Sequence, residues 1–250
     1  MTNVTFSLVI IINIFCLCYC AQLPSNFGRC HTKDKEFDEC IRKNIEVAIH
    51  SLKEGSTQLG LHPFEPLSIP QLIIGQGTGA VNVEQRFSDA KLYGLTGSLV
   101  QAGSVDFEKE VILAKSVTPN LQLIGTYDMN GKILLLPLVG TGPFNVTLVN
   151  TKINHTITGQ AYEKKGKKYW KFVNYTVTLR PERVYFRFDN LYNGSNPQLG
   201  ENVNQVLNDN WDEVFTDVRP GYEASFGQIF QDLANRVFSR VALKDIFYFD

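Results

Sequence analysis

Apolar positions change their spacing twice along this chain. From about Lys35 to Glu54, Phe37, Ile41, Ile45, Ala48, Ile49 and Leu52 recur at helical intervals, and Gly55 supplies a stop. From about Leu67 to Leu191, segments rich in Val, Ile, Thr, Tyr and Phe alternate with turn residues, which predicts strands. Asn130-Gly131 lies between two apolar runs and predicts a tight hairpin turn. Glu163–Lys167 predicts a second hairpin tip, between strands Ile157–Tyr162 and Tyr169–Leu179. Sequential hairpins without βαβ alternation describe an antiparallel meander. Helical spacing returns after Pro197, with Asn196 as a cap. One stripe there runs from Val203 through Val206, Leu207, Trp211, Val214 and Phe215 to Val218. A second joins Tyr222, Phe226, Ile229, Phe230, Leu233, Val237 and Phe238, and Pro220 is expected to kink or break the helix between them. An apolar sheet face and a long aromatic helix satisfy each other when the sheet curls round the helix. The expected class is α+β, with a strongly curved antiparallel sheet around a long C-terminal helix.

The N-terminus changes the chemistry of the rest. Residues 1–20 carry no charged side chain, and Leu8–Phe15 is an apolar run too short to span a bilayer. This reads as a signal peptide cleaved after Cys20, leaving residues 21–250 as one exported domain. Cleavage removes Cys16, Cys18 and Cys20, so that Cys30 and Cys40 remain to pair in an oxidising compartment. Four sequons agree with export: Asn145-Val-Thr, Asn154-His-Thr, Asn174-Tyr-Thr and Asn193-Gly-Ser.

Those sequons also set the phase of the strands, because a glycan-bearing Asn faces solvent and side chains alternate. Asn145 outward turns Phe144, Val146 and Leu148 inward. Asn154 outward turns Ile153, His155 and Ile157 inward, and Asn174 outward turns Val173, Tyr175, Val177 and Leu179 inward. The first two sets differ in parity, which predicts a bulge or turn near Asn150–Lys152.

Charge and motifs mostly exclude. With 24 Lys+Arg against 25 Asp+Glu in 250 residues, the chain has no bulk attraction for nucleic acid. The glycines of Ile73–Gly79 imitate a dinucleotide fingerprint, but the residues after them read as a strand where that motif needs a helix. Gly140-Thr-Gly142 receives the same reading. Glu223-Ala-Ser-Phe-Gly227 approaches a nucleophile elbow but lies in a helical pattern. His31, His50, His62 and His155 have no metal-ligand spacing, so neither metal nor cofactor is expected.

Asn190-Leu-Tyr-Asn-Gly-Ser-Asn-Pro-Gln-Leu-Gly200, followed by Glu201–Trp211, resembles the signature block of the takeout/juvenile-hormone-binding family of insects. Leu61–Pro70, the Tyr127–Gly142 segment and the early pair Cys30 and Cys40 resemble the same family, in order along almost the whole mature chain. Tyr192 stands where the family has Phe, and Ser195-Asn196 where it has Asp. The lack of further cysteines is closer to the takeout branch.

The resemblance implies a tubular lipid-binding architecture with an elongated hydrophobic tunnel. It also implies a secreted, non-enzymatic, monomeric carrier of a juvenile-hormone-like isoprenoid or fatty ligand in haemolymph or another extracellular fluid. The resemblance links such carriers to circadian and feeding physiology. The expected lining is Val146, Leu148, Val173, Tyr175, Val177 and Leu179 from the sheet, with Trp211, Val214 and Phe215 from the helix. Tyr127, Tyr175 or His155 is expected to anchor an ester, epoxide or carbonyl. The alternatives are a lipid esterase, which needs His155 in a cleft beside a nucleophile, and a protein that docks on a receptor or membrane.

Overall fold

A computed structural model describes residues 22–75, 81–133 and 136–249; the expected leader and its three cysteines lie outside the described residues, as do Gly77 and Gly79. The elements run β1 (Cys30–His31), α1 (Phe37–Ser51), β2 (Leu67–Ile74), β3 (Val81–Tyr93), β4 (Leu99–Asp106), β5 (Val111–Ile133) and β6 (Leu136–Lys164). There follow β7 (Lys167–Arg180), β8 (Arg183–Phe188), α2 (Pro197–Asp209), α3 (Trp211–Phe238), α4 (Leu243–Ile246) and β9 (Phe247–Tyr248).

The long antiparallel pair β5–β6 is the spine of a seven-stranded sheet. On one flank β5 carries β4 and then β3, and β2 pairs outside β3. On the other flank β6 carries β8 and then β7. Strands β2 and β7 end the principal strand path, yet both pack against α3, so the sheet wraps round that helix. Leu123, Val146, Leu179 and Phe186 meet Val214, Phe215, Val218 and Tyr222 in the main core.

The spine bends at mid-length. Asn150 has φ 45°, in the left-handed region that Asn tolerates, and stands opposite Pro119 between the flanking pairs Thr118↔Thr151 and Asn120↔Val149. Leu148 and Thr151 are both buried, so the inward phase shifts by one residue where the sequon parities conflict. Beyond this bend the sheet faces a different space.

Two hairpin expectations fare differently. The Glu163–Lys167 tip forms as expected, with Lys165 and Gly166 at positive φ. Asn130 and Gly131 do not turn. They lie inside β5, paired with both β3 and β6, and the spine reverses only between Ile133 and Leu136. The glycine serves close approach instead: a Cβ on Gly131 would stand 2.4 Å from the carbonyl oxygen of Asn82.

The C-terminal helices also correct an expectation. The break falls at Asn210 (φ −110°, ψ 28°), and α3 continues through Pro220. The Asn210 carboxamide donates to the Val206 carbonyl at 2.8 Å and terminates α2. Pro220 and Thr216, whose carbonyl loses its helical partner, are both exposed, so that carbonyl is open to water.

Asparagines fasten these helices to strand backbone. Asn204 accepts from the Phe188 N–H at 2.9 Å and donates to its carbonyl at 2.8 Å. Asn208 brackets Phe186 the same way, at 2.9 and 2.7 Å, and Asn235 brackets Phe172, at 2.7 and 2.9 Å. A carboxamide carries one acceptor and one donor group, as a neighbouring strand would present.

Candidate functional site

Past the bend, α3 stays against β7, where Asn235 brackets Phe172. A cavity of about 330 Å³ lies between the sheet, α3 and α1. Helix α1 contributes Ile41, Asn44, Ile45, Ala48 and Ile49, with Leu52 just after it; the sheet contributes Val105, Ile112, Ser116, Ile153, His155, Ile157 and Tyr175. The distal half of α3 adds Phe230, Leu233, Ala234, Val237 and Phe238. Ile45, Ala48 and Ile49 are only half-buried although they point into the molecule, as side chains facing an open interior must be. No charged side chain is among the lining residues.

The first and last described segments form one end of this space. Leu23, Phe27 and Cys30 lie over it beside Ile246 and Phe247. Strand β1 pairs in parallel with β9, Cys30 opposite Phe247. Cys30 and Cys40 are joined by a disulfide, tying the N-terminal segment to α1. The Asn44 amide donates to the Cys40 carbonyl at 2.9 Å. The Arg29 guanidinium donates to the Lys244 and Phe247 carbonyls and stands 3.7 Å over the Tyr248 ring.

The polar features of the sheet wall are few and joined together. His155 Nδ1 is 3.1 Å from the Tyr175 hydroxyl, and its Nε2 is 3.3 Å from Ser116 Oγ. Burial pushes the imidazole pKa down to about 4 and the Tyr175 phenol upward. His155 keeps some accessible surface, but that surface faces the cavity. The ring is therefore neutral at pH 7, with one nitrogen a donor and the other an acceptor.

Of the eleven residues expected to touch ligand, His155 and Tyr175 line this cavity. Val146, Leu148, Val177, Leu179, Val214 and Phe215 point inward but are consumed by packing in the main core. Tyr127 is fully buried there; its hydroxyl donates to the Asp189 carbonyl at 2.7 Å, and burial raises its pKa to about 12. Trp211 is half-buried at the core margin, 5.4 Å from the Arg183 guanidinium. Val173 is 45% exposed, a reversal of its expected phase. The pairing slips between Thr158↔Asn174 and Gly159↔Phe172, so Val173 is the extra residue of a bulge and faces out with Asn174. Among the sequons, Asn154, Asn174 and Asn193 are exposed and Asn145 is half-buried.

Sequence reasoning missed the larger part of the lining. The α1 stripe reads equally well as a helix capping a core, and the distal α3 stripe as more of the same core. The half-burial of both stripes, which no periodicity records, is what marks them.

A curved antiparallel sheet closed by a long helix over an uncharged apolar cavity is the form of a hydrophobic-ligand-binding protein. The chain belongs to the haemolymph juvenile hormone binding protein family, whose sequence profile matches residues 7–248. The circadian clock-controlled protein daywake of Drosophila melanogaster is 24% identical over 232 residues, covering 90% of this chain and 88% of its own. A putative beta-carotene-binding protein of Schistocerca gregaria is 23% identical over 149 residues, 58% of each chain. The crystal structure of Epiphyas postvittana Takeout 1 has the same fold, with a TM-score of 0.76 at 24% identity over 88% of this chain and 99% of that one. The family is one of binding proteins, and no helix among the described residues is long and apolar enough to cross a membrane.

Proposed function

We infer that this protein is a secreted, monomeric, non-enzymatic carrier of one long apolar small molecule. The ligand is juvenile-hormone-like or fatty, and the described cavity is part of the elongated tunnel that holds it. The uncharged cavity between α1, the sheet and α3 carries this reading. Concave apolar space with a few convergent polar groups is how small hydrophobic molecules are held. The takeout-type fold, the family and the beta-carotene-binding relative support the same ligand class. The test is to secrete the chain from insect cells, extract it with organic solvent for mass spectrometry, and titrate it with N-phenyl-1-naphthylamine. A co-extracted lipid or saturable uptake near one equivalent is expected. Absence of both overturns the reading.

A second reading, a lipid esterase, has the Ser116–His155 contact in its favour. Against it, Nδ1 faces a phenol rather than a carboxylate, and a buried imidazole with a pKa of about 4 is a weak base toward serine. Release of nitrophenolate from p-nitrophenyl dodecanoate, lost in Ser116→Ala, would establish it.

A further inference from the structure

The hydrogen bonds of the sheet wall specify the head group of the ligand, an inference that rests on the carrier reading. Ser116, neutral His155 and Tyr175 carry three protons on polar atoms, one each. Their two contacts, Ser116 Oγ to Nε2 and Tyr175 Oη to Nδ1, use two of them. Whichever ring nitrogen holds its hydrogen, one hydroxyl proton is left over. If Nε2 is protonated it donates to Ser116, Tyr175 donates to Nδ1, and the serine proton is free. If Nδ1 is protonated the direction reverses, and the tyrosine proton is free. Ser116 is 5% exposed, and all three residues line the cavity.

We propose that the Ser116–His155–Tyr175 chain is the polar anchor of the ligand site, and that it selects a neutral lipid bearing an acceptor oxygen, an ester or ketone, over a free carboxylate. A carbonyl oxygen accepts the spare proton and asks nothing more of the site. A carboxylate brings a full charge into a cavity whose lining holds no cation, and its burial without a partner is heavily disfavoured. A plain alkane leaves the spare donor dry and unmatched, which also costs affinity. The other polar side chains of the lining have partners within the fold: the Asn44 amide donates to the Cys40 carbonyl, and Ser98 Oγ lies 2.7 Å from Thr118 Oγ1.

The experiment displaces N-phenyl-1-naphthylamine at pH 8 with methyl dodecanoate, dodecanoic acid and tridecane. Wild-type protein is expected to take the ester at least about fivefold more tightly than the alkane, and at least about tenfold more tightly than the ionised acid. The Ser116→Ala/His155→Leu/Tyr175→Phe variant, which keeps size and removes every donor, is expected to bind ester and alkane within about twofold of each other. Its alkane affinity reports whether the cavity persists; if the variant does not fold, the wild-type comparison alone decides. Equal ester and alkane binding by wild type, or acid binding as tight as ester, overturns the inference while leaving the carrier reading intact. Failure of every ligand and of the probe overturns both.

Discussion

Gly227 of α3 sits against the backbone of Tyr175 in β7, so close that a Cβ on the glycine would stand 2.4 Å from the Tyr175 carbonyl oxygen. The contact joins two parts of the molecule with different duties. On one side of Gly227 the helix packs into the main core, where Val214, Val218 and Tyr222 are buried. On the other, its Phe230, Leu233 and Val237 line the cavity. Gly227 thus fixes the height of the helix over the strand that carries Tyr175.

Gly227→Ala is expected to lower stability by about 1–3 kcal/mol, because the oxygen it meets belongs to a backbone that cannot swing aside. Urea denaturation measures this. An unchanged midpoint contradicts the close approach.

The asparagine brackets make a second prediction. Asn204 is 5% exposed and satisfies both polar groups of Phe188. Asn204→Leu strands a buried N–H and a buried C=O, at a cost of about 2–4 kcal/mol. Gln198→Ala, an exposed position on the same helix, is expected to stay within about 0.5 kcal/mol.

Acid sensitivity follows from His155. Its pKa is about 4 in the folded chain against an ordinary 6.5, so between those values the unfolded chain binds more protons than the folded one. The contribution is fully present above about pH 6.5 and is lost as pH falls toward 4, on the order of 3 kcal/mol in total. The difference between wild type and His155→Gln, measured by urea denaturation at pH 7.5 and pH 4.5, isolates it from carboxylate titration. A constant difference at the two pH values sinks this account.

The proposed position of the site is itself testable. Ala48 faces the cavity and Leu148 the packed core. Ala48→Trp is expected to weaken N-phenyl-1-naphthylamine binding at least about tenfold with the fold retained. Leu148→Ala is expected to cost about 2–5 kcal/mol of stability with binding little changed. The opposite pattern would return the site to the main core.

Export and glycosylation are checked together. Protein secreted from insect cells is expected to begin at residue 21 and to lose mass on enzymatic removal of N-glycans, with Asn154, Asn174 and Asn193 the best-exposed acceptors. An unaltered mass removes the glycoprotein assignment.

The sheet, both helical regions and the inward phase of Val146, Val177 and Leu179 are legible in the sequence, because burial imposes period two on strands and helical spacing on helices. The parity conflict between Asn145 and Asn154 even locates the bend at Asn150. What periodicity lacks is depth. An apolar side chain pointing inward obeys the same pattern whether it meets another side chain, like Leu148, or an empty space, like Ile45. Val173 shows a second limit, since a single bulge residue reverses the phase carried along a strand from Asn174. Asn204 and Asn235 show a third: polar residues on helix faces read as solvent contacts, and only tertiary geometry reveals that they complete strand edges.

The parallel pairing of Cys30 with Phe247 also sets an order of assembly. A ribosome delivers the first of these residues more than two hundred positions before the second. The spine hairpin and its flanking strands can form while the chain is still emerging, from neighbours in sequence. The cover over the cavity cannot, since it needs Ile246 and Phe247 to arrive beside Phe27 and Cys30. The compartment thus closes later than the sheet beneath it, once Ile246 and Phe247 have emerged to meet Phe27 and Cys30.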